Sequence, residues 1–135
     1  VRTVPSPDDP ARAIIGIRVA RAADIELPIK VSIDLGGVGG PSAGLPFALD
    51  VLQELGRDVH RGRRVAATGE IELDGSVGPI GGVKQKVFGA RRAGAGVFLV
   101  PAGDNADEAR RYAGKLRIVP VESFQQALSA LRTLQ

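Results

Sequence analysis

Between residues 36 and 44 the chain reads Gly36-Gly37-Val38-Gly39-Gly40-Pro41-Ser42-Ala43-Gly44. A Gly-rich loop that follows a strand and opens a helix is where phosphate-binding loops sit. The phosphate fingerprints fail here in detail. A Walker loop ends in Gly-Lys-Ser/Thr, and no lysine occurs between Val31 and Gln53. The dinucleotide pattern from Gly37 needs a glycine at 42, where Ser42 stands. What is left is a serine hydroxyl at a strand-to-helix turn. Gly40 lets the backbone turn sharply, and Pro41 stiffens the approach. Ala43 and Gly44 keep the space beside the hydroxyl open. The first helical N–H groups have no partner within the helix, and they point toward developing negative charge as an oxyanion hole requires. The same residues also make a plain helix N-cap, and the local motif alone leaves both roles open.

A serine nucleophile needs a base. The single histidine, His60, lies in the charged stretch Arg57-Asp58-Val59-His60-Arg61-Gly62 and reads as a solvated loop residue, which argues against a Ser-His-Asp triad. With one histidine and no cysteine, only carboxylates remain as metal ligands, and no metal or cofactor is expected. Lysine is the other base, and it serves only when neutral, which takes apolar burial or nearby positive charge. The chain has four lysines: Lys30, Lys84, Lys86 and Lys115. Two of them fall in Gly81-Gly82-Val83-Lys84-Gln85-Lys86-Val87-Phe88, at the start of a helix. They stand about 200° apart around that helix, so they cannot serve the same side. Lys86 has Val83 and Val87 at helical neighbour spacing, with Phe88 and Ala90 close by. A surface lysine remains the commoner outcome for either position.

The elements that must place these groups follow from periodicity. Ala13 to Ala20 reads as a strand, and Ile29, Val31, Ile33 and Leu35 alternate with polar residues in a second. A helix runs from Ala43 to about Leu55, with Leu45, Ala48, Leu49, Leu52 and Leu55 on one face and Gly56 as its stop. Val65 to Leu73 reads as one strand, and Asp74-Gly75 as a tight turn into Val77. A helix over Val83 to Ala93 closes at Gly94, and Val97 to Val100 is a short apolar strand. Asp104 to Tyr112 is helical, with acids first and arginines last, as the helix dipole favours. Leu116 to Val121 is the last strand, and Glu122 to Leu131 a terminal helix. Strands and helices alternate in the second half, which implies an α/β domain of packed layers.

Composition narrows the classes further. The chain has 135 residues, 44% hydrophobic and 24% charged, which suits one globular domain. Its aromatic residues are four Phe and one Tyr, so the core must rest on Val, Ile, Leu and Ala. The net charge of +3 gathers in Arg57–Arg64 and Lys84–Arg92, too sparsely and with too few rings for nucleic-acid binding to be expected. No run approaches the length of a membrane span. Residues 1–12 carry Pro5, Pro7 and Pro10 and read as a linker, or as the tail of a preceding domain inside a longer protein. Residues 13–135 then form the domain proper.

Gly40-Pro41-Ser42-Ala43-Gly44 is similar to the nucleophile motif of Lon proteases. Thr68-Gly69-Glu70-Ile71, Gly75, and Pro79-Ile80-Gly81-Gly82-Val83-Lys84-Gln85-Lys86 resemble that family's second block, and Ala90-Arg91-Arg92-Ala93-Gly94 continues it. The resemblance runs from about Val31 to Val121. It implies the Lon proteolytic fold, which is ribosomal protein S5 domain 2-like, and a serine endopeptidase working on protein or peptide substrates without ATP. It assigns Ser42 as nucleophile and Lys86, the second lysine of its pair, as general base. It gives Thr68 a hydroxyl that helps position the lysine, and Gly40, Pro41 and Ala43 the loop and oxyanion roles. Relatives often form hexameric rings, so a homo-oligomer is implied too. Typical members carry Lys-Asp where this chain has Val38 and Gly39. The form Asp34-Leu35-Gly36-Gly37-Val38-Gly39-Gly40-Pro41-Ser42 looks more like bacterial proteins that join a PDZ domain to a Lon-type domain behind an N-terminal anchor. On that resemblance residues 1–12 end the PDZ domain, and the catalytic domain faces outside the plasma membrane. The same departure at Val38 and Gly39 also fits a catalytically silent binding or assembly domain that keeps the fold.

Overall fold

The computed structural model describes residues 3–5, 13–15 and 40–134. The chain divides into two compact units, Val1–Ser32 and Ile33–Gln135. In the first, strand β1 (Thr3–Pro5) pairs antiparallel with β2 (Ala13–Ile15), Val4 opposite Ile14. Part of the stretch read as linker is therefore an extended, paired segment. The strand expected over Ile29–Leu35 lies outside the described residues, as do Val38 and Gly39.

The second unit is built around a parallel sheet. Its strands are β3 (Val65–Ala67), β6 (Val97–Pro101) and β7 (Arg117–Val121), side by side in that order with β6 central. Every residue of β6 is buried, as a continuous apolar run covered on both faces should be. Side chains alternate across a strand, and here the alternation sorts the core into two halves. Val65, Ala67, Val97, Leu99, Val119 and Val121 pack with helices α1 (Gly44–Glu54) and α4 (Phe124–Thr133) through Leu45, Leu49, Ala127 and Leu131. Ala66, Phe98, Val100 and Ile118 pack with α2 (Val83–Arg92) and α3 (Asp104–Tyr112) through Val83, Val87, Ala90, Ala106 and Ala109. The result is the expected α/β architecture of packed layers.

The helices fall close to their expected positions. α3 matches its sequence pattern, with Asp104 and Asp107 in the first turn and Arg110 and Arg111 in the last. α4 starts later than expected because Ser123 caps it, its Oγ accepting from the Gln126 N–H at 3.2 Å. The single strand expected from Val65 to Leu73 is broken. β3 ends at Ala67, and a separate hairpin follows, β4 (Glu70–Ile71) with β5 (Val77–Gly78). The reason is where the intervening backbone bonds. The Gly69 N–H donates to the Ser42 carbonyl at 2.9 Å, and the Gly69 carbonyl accepts from Leu45 N–H at 3.0 Å. The chain leaves the sheet there to hold the turn before α1.

Leu99 is fully buried in the α1/α4 half of the core, whereas Leu73 is 66% exposed on the hairpin. Leu99→Ala is expected to cost about 2–5 kcal/mol. Leu73→Ser should stay within about 0.5 kcal/mol of the parent. Urea unfolding of both variants checks the contrast.

Candidate active site

Ser42 lies in a short 3-10 turn, Pro41–Ala43, just before α1. Gly40 enters that turn at φ 105 and ψ 153, a conformation that L side chains rarely adopt. Ser42 is not a helix cap. The cap of α1 is Ala43, and no side chain caps it. The Ser42 hydroxyl has a different partner: Lys86 Nζ donates to Ser42 Oγ at 3.0 Å.

Two backbone constraints hold the serine. Thr68 is buried, with 3% of its surface exposed, and its Oγ1 donates to the Ser42 carbonyl at 3.0 Å. The Gly69 N–H donates to the same carbonyl. Thr68 is itself tied to the central strand, its N–H donating to the Leu99 carbonyl at 3.0 Å. The resemblance gave the threonine hydroxyl to the lysine, whereas its hydrogen bond here goes to the serine backbone. Gly44, the first residue of α1, has no room for a side chain. A Cβ there would lie 2.9 Å from the Ile71 N.

Lys86 comes from the opposite layer. Gly82 opens α2 in the left-handed region at φ 69, and Val83, Val87 and Ala90 fasten the helix to the sheet. Lys86 is half-buried and lines a hollow with Ala66 and Ala67 of β3. Lys84 faces elsewhere. It is exposed, with its Nζ 5.2 Å from the centre of the Tyr112 ring. The two lysines therefore diverge as their spacing predicts.

Ser42 and Lys86 line a hollow of about 370 Å³. Pro46, Ala66, Ala90, Ala93 and Phe98 make its apolar walls, and Lys86 is the one ionisable residue among those lining it. His60 takes no part in it. That residue is half-buried rather than fully solvated, in a loop whose Val59 and His60 N–H groups donate to Gln53 Oε1 at 3.0 and 3.4 Å. Among the described residues, no cluster of His, Asp or Glu could hold a metal ion.

Sequence reasoning missed two contributors. One is Gly69, whose signal was a glycine interrupting a strand pattern. The other is Asn105, which clamps Ile80 ahead of α2. Its Oδ1 accepts from the Ile80 N–H at 2.8 Å, and its Nδ2 donates to the Ile80 carbonyl at 3.0 Å.

Known proteins resemble this chain over most of its length. The family model of the Lon protease (S16) C-terminal proteolytic domain matches residues 21–133. Lon protease 1 of Sorangium cellulosum (strain So ce56) is 40% identical over 107 residues, 71% of this chain and 13% of that protein. The Lon protease of Roseiflexus castenholzii (strain DSM 13941 / HLO8) is 37% identical over 126 residues, 86% of this chain and 15% of its own length. Lon protease 1 of Myxococcus xanthus is 41% identical over 99 residues, 71% of this chain and 12% of that protein. The chain thus spans only a small part of the curated relatives it matches. Matched over most of its own length, it belongs to the family of Lon protease C-terminal proteolytic domains.

Proposed function

We propose that the domain is a serine-type endopeptidase in which Ser42 and Lys86 act as a dyad. The observation that carries this reading is the 3.0 Å contact between Lys86 Nζ and Ser42 Oγ, which is within the reach a nucleophile and its base require. The amine form of Lys86 takes the Ser42 proton as Oγ attacks the scissile carbonyl. The oxyanion is assigned to the N–H groups near Ser42 and Ala43; the two that follow are engaged within the fold. Gly44 N–H donates to the Pro41 carbonyl, and Leu45 N–H to the Gly69 carbonyl. The Lys86 ammonium then protonates the leaving amine, which departs and leaves an ester on Ser42. Water attacks that ester, again giving its proton to Lys86, and the acid is released with Ser42 restored. Thr68 and Gly69 keep the nucleophile in place by holding its carbonyl.

None of these steps consumes a nucleotide, so the hydrolysis is proposed to be independent of ATP. Protein or peptide segments are the proposed substrates, and a homo-oligomeric ring the proposed assembly. The loop sequence Asp34–Ser42 supports a parent protein in which residues 1–12 close a PDZ domain and an N-terminal anchor lies in the bacterial plasma membrane. Among the described residues, no helix is long and apolar enough to cross a membrane. The departure at Val38 and Gly39 favours a second reading, a silent binding domain, which the following measurements separate from the first.

Ser42→Ala and Lys86→Ala are each expected to lower cleavage of a casein-like substrate by at least about 10²–10⁴-fold, the span of general-base effects. Lys84→Ala should cleave at the parent rate. Cleavage by Lys86→Ala at that rate would remove the dyad. A parent chain that neither cleaves nor takes a serine-directed phosphonate would favour the silent domain. Thr68→Val removes one of two donors to the Ser42 carbonyl and should cost about 1 kcal/mol in urea unfolding. It should also lower turnover more than apparent substrate affinity, with Thr68→Ser restoring both.

A further inference from the structure

Lys86 reaches Ser42 only if α2 starts in the right place, and α2 does little to fix its own start. Its N-cap is Gly82, no side chain caps it, and its first turn holds no acidic residue. The side chains that bury it are smooth and apolar: Val83, Val87 and Ala90 against Phe98, Ala106 and Ala109. Such packing resists separation of the helices. It resists sliding and rotation less, because dispersion contacts are not directional. A slip of one residue along α2 would carry Lys86 about 1.5 Å and turn it about 100°. That would break the contact with Ser42.

At its far end α2 has one directional bond, Arg91 Nη1 donating to the Tyr112 carbonyl at 3.0 Å, and at its start directional bonds enter just upstream. Both backbone groups of Ile80 are taken by one side-chain amide, that of Asn105, at 2.8 and 3.0 Å. Asn105 stands in the first turn of α3, directly before Ala106 in sequence, and Ala106 and Ala109 pack in the same core half as Val83 and Val87. The helix that packs along α2 therefore also grips the segment leading into it. An amide can do this with one side chain, since it donates from nitrogen and accepts at oxygen. A carboxylate accepts alone.

We propose that Asn105 is a positioning residue for the reaction, fixing the register of α2 and through it the place of Lys86. It touches neither the hydroxyl nor the amine. The role rests on the peptidase reading of Ser42 and Lys86.

The test uses the full 135-residue chain and a peptidyl diphenyl phosphonate that labels the serine, followed by mass spectrometry at several probe concentrations. Asn105→Asp keeps the acceptor for the Ile80 N–H, loses the donor, and sets a carboxylate against the Ile80 carbonyl. A carboxylate in the first turn of α3 favours that helix, so the melting midpoint should hold. The limiting labelling rate is expected to fall about 10- to 100-fold, the scale of a misplaced catalytic group. The half-saturating probe concentration should not move. Amide exchange over Val83–Lys86 should quicken, and Asn105→Ala, which loses both bonds, should be slowed at least as much. An Asn105→Asp protein labelled at the parent rate overturns the proposal, even if its exchange quickens. So does a melting midpoint that collapses in both variants, which makes the amide a folding element. A parent chain that takes no label removes the peptidase reading and this proposal together, whereas a labelled parent with an equally labelled variant removes the proposal alone.

Discussion

One carbonyl oxygen, that of Ser42, sets the local geometry of the domain. It accepts from the Thr68 hydroxyl and from the Gly69 N–H, two donors on consecutive residues. To supply them, the chain must leave the sheet after Ala67, which splits one apolar segment into a strand and a hairpin. In exchange, the Gly69 carbonyl takes the N–H of Leu45 in the first turn of α1, a group with no partner inside its helix. The Ser42 turn, the end of β3 and the start of α1 are thus parts of one hydrogen-bonded knot. Its tightness explains Gly44, where a side chain would meet the Ile71 backbone.

The serine and the lysine come from opposite faces of the same sheet. Leu45 and Leu49 of α1 pack on the side of Leu99, while Val83 and Val87 of α2 pack on the side of Phe98. Their side chains meet past the carboxyl end of β3, where the apolar hollow opens on Ala66 and Ala67, residues that face opposite ways. A serine and a lysine drawn from one helix would share that helix's errors. Drawn from two layers, their separation is the sum of two packings, which is why each layer carries its own directional bonds near the site. Thr68 ties the serine side to the central strand, and Asn105 ties the lysine side to α3.

Much of this was legible from residue order. The helices stand out because a 3.6-residue period and their closing glycines are local signals, and Gly56 and Gly94 do adopt positive φ. The central strand shows as an unbroken apolar run. The break at Thr68-Gly69 did not show, because nothing in a strand pattern reports that its backbone will bond to a turn some 25 residues earlier in the chain. The role of Ser42 was undecided for the same reason. A serine before a helix is the signature of a cap, and the lysine brought to it from α2 is what supports the other role. Spacing separated Lys84 from Lys86 by face, yet it could not say which face meets the serine. That choice came from the Lon motif.

The long-range groups were the illegible ones, and they share a physical trait. Gly69 and Asn105 act through hydrogen bonds to the backbone of distant residues, Ser42 and Ile80. Backbone groups recur along the chain, so the sequence of the distant partner carries no mark of the bond. Apolar contacts leave such a mark as periodicity, and a side-chain pair leaves one in its residue types. A site held by bonds to the backbone is therefore hidden from any pattern of residue types along the chain. In this domain those bonds sit where the packing is least directional, at the ends of α1 and α2, and they decide whether a common serine and a common lysine come within 3.0 Å of each other.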